Sequence, residues 1–270
     1  MPLRDILVHL DSGARTAERL ALAVHLARRD NARLTGMFAQ CASAYQVGVV
    51  AVWPPESYTK AAEASREQFQ AATAGLADAE WIDINRGSDH EVVHHVLEAA
   101  RHYGLVILGQ NDEDAPRIVP RELLEEVILE SGRPVLAVPY AGHFSDLGHR
   151  PLIAWADARP AARALNDCLV LLQPGAKATL VSMSLGTEPQ KQLAARAAAH
   201  LAAHGVAAEV EHLQLTEVGL MDTLLNLASD KAADLVVMGA FGGYGYPVLN
   251  RGSGTRYMLR HMTVPCLFSH

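Results

Sequence analysis

Hydrophobic and polar positions along this chain switch repeatedly between two patterns. Short apolar runs rich in β-branched residues are followed by longer segments whose apolar residues recur every three or four positions, the periods of buried strands and amphipathic helices. In the first half, DILVHL, ARLTGMFA, AEWIDINR, GLVILG and RPVLAVP predict five strands. Between them, ARTAERLALAVHLARRD, SYTKAAEASREQFQAATAGLADA, SDHEVVHHVLEAARHYG and PRELLEEVILESG predict four helices. Ser88 and Glu91 form a capping-box pattern at one helix start. The arginines closing the first helix suit the negative end of its dipole.

The second half repeats the order. PLIAWA, KATLVSMS, AEVEHLQL, DLVVMG and VPCLFS predict strands, and RPAARALNDCLVLL, PQKQLAARAAAHLAAHG, VGLMDTLLNLASDKAA and GTRYMLRHM predict helices. Such alternation predicts parallel strands joined by right-handed crossovers, with helices on both faces. The expected fold class is α/β: two tandem, doubly wound domains, each with a five-stranded parallel sheet. Asp11 and Asp157 follow the two first strands, 146 positions apart. Gly109 and Gly239 close the fourth strands 130 apart, and Pro134 and Pro265 open the fifth strands 131 apart. The drop places about 15 extra residues early in the first half, where QCASAYQVGVVAVWPPE interrupts the pattern. The linker AGHFSDLGHR predicts domains spanning 1–145 and 146–270.

Composition narrows the function. A net charge of −7 and a pI near 6.0 give no general attraction for nucleic acid or anionic membrane, so neither is an expected partner. Cys41, Cys168 and Cys266 are few, odd in number and widely spaced, which argues against a disulfide framework or zinc cluster. The start MPLRDILVHLDSG lacks the features of a signal peptide, and no apolar run is long enough to span a bilayer. A cytoplasmic protein is expected.

Candidate chemistry concentrates in VVMGAFGGYGYPVLNRGSGTRYMLRHM. Gly239 closes a strand, Gly242 follows three residues later, and nine more residues lead to Gly252 and Ser253 at a helix start. Glycine at a strand end permits positive φ and close approach of a ligand to the backbone. Gly252, Ser253, Gly254 and Thr255 stand where unpaired amides and the helix dipole favour phosphate. The Ser253 and Thr255 hydroxyls add potential hydrogen bonds, and parallel sheets bind ligands at the carboxyl ends of their strands.

With these residues the sequence resembles the universal stress protein family, whose ATP-binding members share a G-x-x-G-x9-G-(S/T) signature matched by Gly239, Gly242, Gly252 and Ser253. The resemblance covers nearly the whole chain as two tandem copies and implies a Rossmann-like fold of the adenine nucleotide alpha hydrolase type. It implies an adenosine contact at Asp157, with Trp155 and Ala156 beside it, and a backbone contact to adenine at Met183, with Ser182 adjacent. Met238 and Ala240 flank the first glycine of the loop. The implied ligand is ATP, ADP or another adenine nucleotide, with or without Mg2+ carried on it. The implied assembly is a homodimer or an intramolecular pairing of the two halves.

The first half departs from the signature. Gly109 survives, but Asp112 stands at the second glycine, and Glu122-Leu123 replace Gly-Ser. Asp112, Glu113 and Asp114 would repel a triphosphate, so this half is expected to bind no ATP. No general base is identifiable, and the expected function is an ATP-binding regulatory protein of the stress response. Slow ATP hydrolysis in the same cleft and a ligand-free dimeric interaction module are the alternative readings.

Other candidates carry less. His90, His94 and His95 share one predicted helix without a supporting carboxylate motif and read as exposed. Cys168 and Cys266 read as buried small hydrophobes, leaving Cys41 as the thiol to probe. Tyr244, Tyr246 and Arg251 lie within the glycine loop, as ligand covers or as solvent-facing tips.

Overall fold

A computed structural model describes residues 2–47, 50–183, 188–213, 219–242 and 252–270. The chain divides into two compact units, Pro2–Val135 and Leu136–His270. The division falls ahead of the linker segment.

The first unit opens with β1 (Asp5–Leu10), α1 (Thr16–Asp30) and β2 (Arg33–Phe38), followed by a short antiparallel hairpin, β3 (Tyr45–Val47) and β4 (Val50–Val52). It continues through α2 (Glu56–Ala72), β5 (Ala79–Asp83), α3 (Asp89–Ala100), β6 (Leu105–Gly109) and α4 (Leu123–Glu130). Its main strands lie in the order β6-β1-β2-β5, all parallel. The fifth strand of the first half, β7 (Val135–Val138), falls almost wholly in the second unit.

The second unit adds β8 (Pro151–Trp155), α5 (Arg159–Asp167), a 3-10 turn, β9 (Lys177–Met183), α6 (Glu188–Ala203) and β10 (Ala207–Leu213). Then come α7 (Leu220–Asp230), β11 (Leu235–Gly239), α8 (Ser253–His261) and β12 (Cys266–Ser269). Its strands run β10-β9-β8-β11-β12, with parallel pairing throughout. Chain order therefore reverses between β8 and β11, the topological switch point where α/β sheets open a crevice.

Local chemistry explains the elements. The central strands β1, β6 and β11 are buried along nearly their whole length, as strands covered on both faces must be, and their sequences are correspondingly apolar. Ser88 and Glu91 form the expected capping box, and α1 stops at Asn31 in the left-handed conformation. Helix α2 ends at Ala72, short of the predicted stretch, because Thr73 closes it and Gly75 turns the chain at φ 91°.

The interrupting segment forms the β3–β4 hairpin and is pinned by Trp53. Its ring centroid lies 5.0 Å from that of Tyr58, and Nε1 donates to Asn85 Oδ1 at 2.9 Å. A side chain at Gly87 would collide with this indole. Cys168 and Cys266 are buried, and burial pushes their thiols up, to about 12 for Cys168. The Cys41 thiol is also raised, chiefly by burial, so it lacks the depressed pKa of a reactive cysteine. His94, His95 and Glu98 bring potential ligand atoms within 4.8 Å on the outer face of α3, with His94 and Glu98 exposed. Among the described residues no helix is long and apolar enough to cross a membrane.

Candidate functional site

Strand register assembles most of the expected site. Ala154 pairs with Met238 across β8 and β11, and Trp155 pairs with Ser182 across β8 and β9. Trp155, Ser182, Met183, Met238 and Gly239 therefore end three neighbouring parallel strands at one edge, on both sides of the switch point. Ala156 and Asp157 continue from β8 into a tight turn closed by Ala158 N donating to Ala156 O at 2.8 Å. Asp157 is exposed.

The first residues after β11 are tied down by two hydrogen bonds. Ala240 N donates to Ser269 O, and Phe241 N donates to Thr255 Oγ1, each at 2.8 Å. Thr255 is buried, so this hydroxyl oxygen fixes the loop against α8, a duty the sequence did not reveal. Gly252 caps α8 at φ 85°, and a Cβ there would stand 2.6 Å from the Phe241 ring. A side chain at Gly239 would strike the backbone of Pro160 and Ala161, where α5 packs on the strand end.

Gly242 and Gly254 differ. Among the described residues a Cβ at Gly242 would meet only Pro160 Cγ at 3.7 Å, and the nearest atom to one at Gly254 would be Met221 Sδ at 3.5 Å, both ordinary contacts. The described fold thus requires glycine at 239 and 252 but not at 242 or 254. Two polar atoms of these residues are also unsatisfied: among the described residues Trp155 Nε1 and Ser253 Oγ are buried without a hydrogen-bond partner. Buried polar groups are normally paired, so such orphans mark places where a ligand or water completes the structure. Tyr244, Tyr246 and Arg251 lie outside the described residues.

Residues 145–270 match the model of the universal stress protein family. This second half of the chain belongs to that family. The fold of the whole chain is similar to that of a universal stress protein from Archaeoglobus fulgidus DSM 4304, with 17% identity, a TM-score of 0.70, and coverage of 98% of this chain and 95% of that one. A putative universal stress protein from Pseudomonas aeruginosa UCBPP-PA14 is similar at 15% identity and a TM-score of 0.58, over 99% of this chain and 93% of that one. No curated protein matches the sequence. The full-length likeness fits a tandem of two domains with the universal stress protein fold.

In the first domain the equivalent strand ends hold a different arrangement. Arg19, buried on α1, donates from Nη2 to Asp11 Oδ2 at 2.7 Å and from Nε to His9 O at 2.8 Å. Asp11 Oδ1 accepts from Thr16 Oγ1 at 2.6 Å and from Gly13 N at 2.7 Å. His9 presents Nε2 to Ala39 O at 2.7 Å and Nδ1 to Asp11 at 3.6 Å. The cavity left beside these groups measures about 40 Å3, roughly the room for one water.

Burial alone would raise the Asp11 carboxyl, but Arg19, His9 and the two hydrogen bonds outweigh it and hold the pKa at about 2. Burial lowers His9 to about 4 against the partly opposing pull of Asp11. The Arg19 guanidinium also lies against Gly109, where any side chain would collide with it. Gly109 thus accommodates an internal arginine, whereas its counterpart Gly239 accommodates the α5 backbone. The acidic loop expected to repel phosphate is exposed and bonds locally, Asp114 N donating to Asp112 Oδ1 at 3.0 Å.

Proposed function

We propose that the second domain binds ATP or a related adenine nucleotide at the carboxyl ends of β8, β9 and β11, and that the protein is a nucleotide-binding regulator in the cytoplasmic stress response. The observation carrying this reading is the coincidence of two orphaned polar groups, Trp155 Nε1 and Ser253 Oγ, with glycines at 242 and 254 that the described packing does not demand.

In this reading the α8 amino end and the Ser253 hydroxyl receive the phosphates, because unpaired amides and the helix dipole favour anions. Gly242 lets the phosphates approach the main chain. Trp155 and Asp157 face the nucleoside, and any Mg2+ enters on the phosphates. Thr255 Oγ1 is committed to Phe241 N, so its part in phosphate binding is limited to donating its own hydrogen.

Calorimetric titration of ATP into wild-type protein and Gly242→Asp tests the reading. The substitution places a carboxylate in the proposed cradle, at a position where the described residues leave room for a Cβ, and ATP affinity should fall by at least about a hundredfold, roughly 3 kcal/mol. Unchanged affinity would remove the proposal. Gly252→Asp is the poorer probe, since its positive φ and the Phe241 contact would disturb folding as well.

A further inference from the structure

The second domain has a hollow at the opposite, amino-terminal end of its strands. Its volume is about 450 Å3, within the range of small-molecule sites. Leu152, Ala178, Ala208 and Ala233 contribute apolar lining, and Arg150 and Lys177 bring cationic side chains to it.

The first domain shows how this hollow arises. Leu7 pairs with Thr35, and Thr35 with Glu80, just as Leu152 pairs with Thr179, and Thr179 with Glu209. Likewise Leu105 pairs with Ile6 as Leu235 pairs with Pro151. By this register Arg33 corresponds to Lys177, and Tyr103 to Ala233. In the first domain the Arg33 guanidinium carbon lies 5.3 Å from the centroid of the Tyr103 ring, a cation–π pair. In the second domain the cation is kept, the ring is replaced by a methyl group, and both positions line the hollow.

We propose that this hollow binds a small aromatic carboxylate. The ligand's ring takes the place that Tyr103 fills in the first domain, beside Ala233 and against Lys177, and its carboxylate meets Lys177 and Arg150. Arg150 is held in place by Nε donating to Ala232 O at 2.7 Å. The other charges present are already engaged. Lys231 pairs with Glu209 and Glu211, and the Asp234 carboxylate accepts from the backbone N–H groups of His149 and Arg150 at 2.8 and 3.0 Å. Among the described residues Lys177 has no ion-pair partner. The site lies at the other end of the sheet from the proposed nucleotide cradle and does not depend on it.

The test is titration of the full chain with 4-hydroxybenzoate, followed by backbone amide NMR. Shifts should cluster at Lys177, Ala178, Ala208 and Ala233. Ala233→Tyr, which restores the first domain's ring, should abolish them, and Lys177→Gln should weaken binding by about tenfold. ATP binding should be unaffected by either change. If Ala233→Tyr fails to fold, Lys177→Gln decides. Absence of shifts at millimolar ligand, or shifts that survive whichever substitution folds, would overturn the proposal.

Discussion

Arg19 Nη2 donates to Asp11 Oδ2 at 2.7 Å inside the first domain, where both side chains are almost wholly shielded from water. The Arg19 side chain fills the space beside Gly109, whereas beside Gly239 the second domain places the backbone of α5. The α5 residues that face Gly239 are Pro160 and Ala161, which bring backbone and no charged side chain to the strand end. The contrast between the two halves is therefore as much one of α1 against α5 as of the two loops.

Replacing Arg19 with Met strands the Asp11 carboxylate in the interior. Such a loss costs about 3–5 kcal/mol, more than an exposed ion pair could account for. Urea denaturation of the full chain should show this loss in the transition of the first domain. A change below about 1 kcal/mol would mean the pair is solvated in solution.

The same cluster makes the first domain acid-sensitive. An unfolded His9 takes up a proton below about pH 6.5, whereas the folded one resists until about pH 4. Its contribution is fully present above pH 6.5 and is lost as the pH falls toward 4, in total about 3 kcal/mol. Asp11 extends the loss between its ordinary pKa of 3.8 and about 2. Stability measured against pH should decline through the first window, and His9→Gln should flatten that decline. An unchanged slope would exclude His9 as its source.

The glycines separate by their neighbours. Gly239→Ala drives a methyl group into the α5 backbone and should destabilise by about 1–3 kcal/mol, the range for overpacking. Gly252→Ala should lose about 1–2 kcal/mol through its positive φ. Gly242→Ala should leave the melting temperature unchanged. Equal effects at all three positions would contradict the distinction between glycines kept for packing and one kept for a ligand.

Trp155 offers an internal reporter. Trp53 and Trp81 lie in the first domain, so an ATP-induced change in emission should persist in their Phe variants and vanish in Trp155→Phe. Loss of the signal in Trp53→Phe instead would point to the first domain.

Much of this is legible in the sequence because it is local. The alternation of strand and helix depends on periodicity, and the capping box at Ser88 spans four residues. The glycine spacing from 239 to 252 records demands made at single backbone positions. Arg19 is hidden because its partners, His9 O and Asp11, lie on the preceding strand and turn, and because the neighbouring Glu18 makes the pair read as an ordinary solvent-facing stretch of helix. The survival of Gly109 consequently resembles a remnant of the phosphate loop, when its space is taken by that arginine. Thr255 misleads in part for a similar reason: a hydroxyl at a helix start suggests phosphate, but the Phe241 amide already holds its oxygen. The boundary near residue 145 follows linker composition, whereas β7 groups with the second unit through contacts that composition does not record.

The most direct test is the stoichiometry of ATP binding by calorimetry on the full chain. One nucleotide bound per chain, with binding abolished by Gly242→Asp and retained in Arg19→Met, is the predicted result. No measurable binding, or two equivalent sites per chain, would contradict the proposal that the second domain alone takes the nucleotide while the first strand end is filled by its own ion pair.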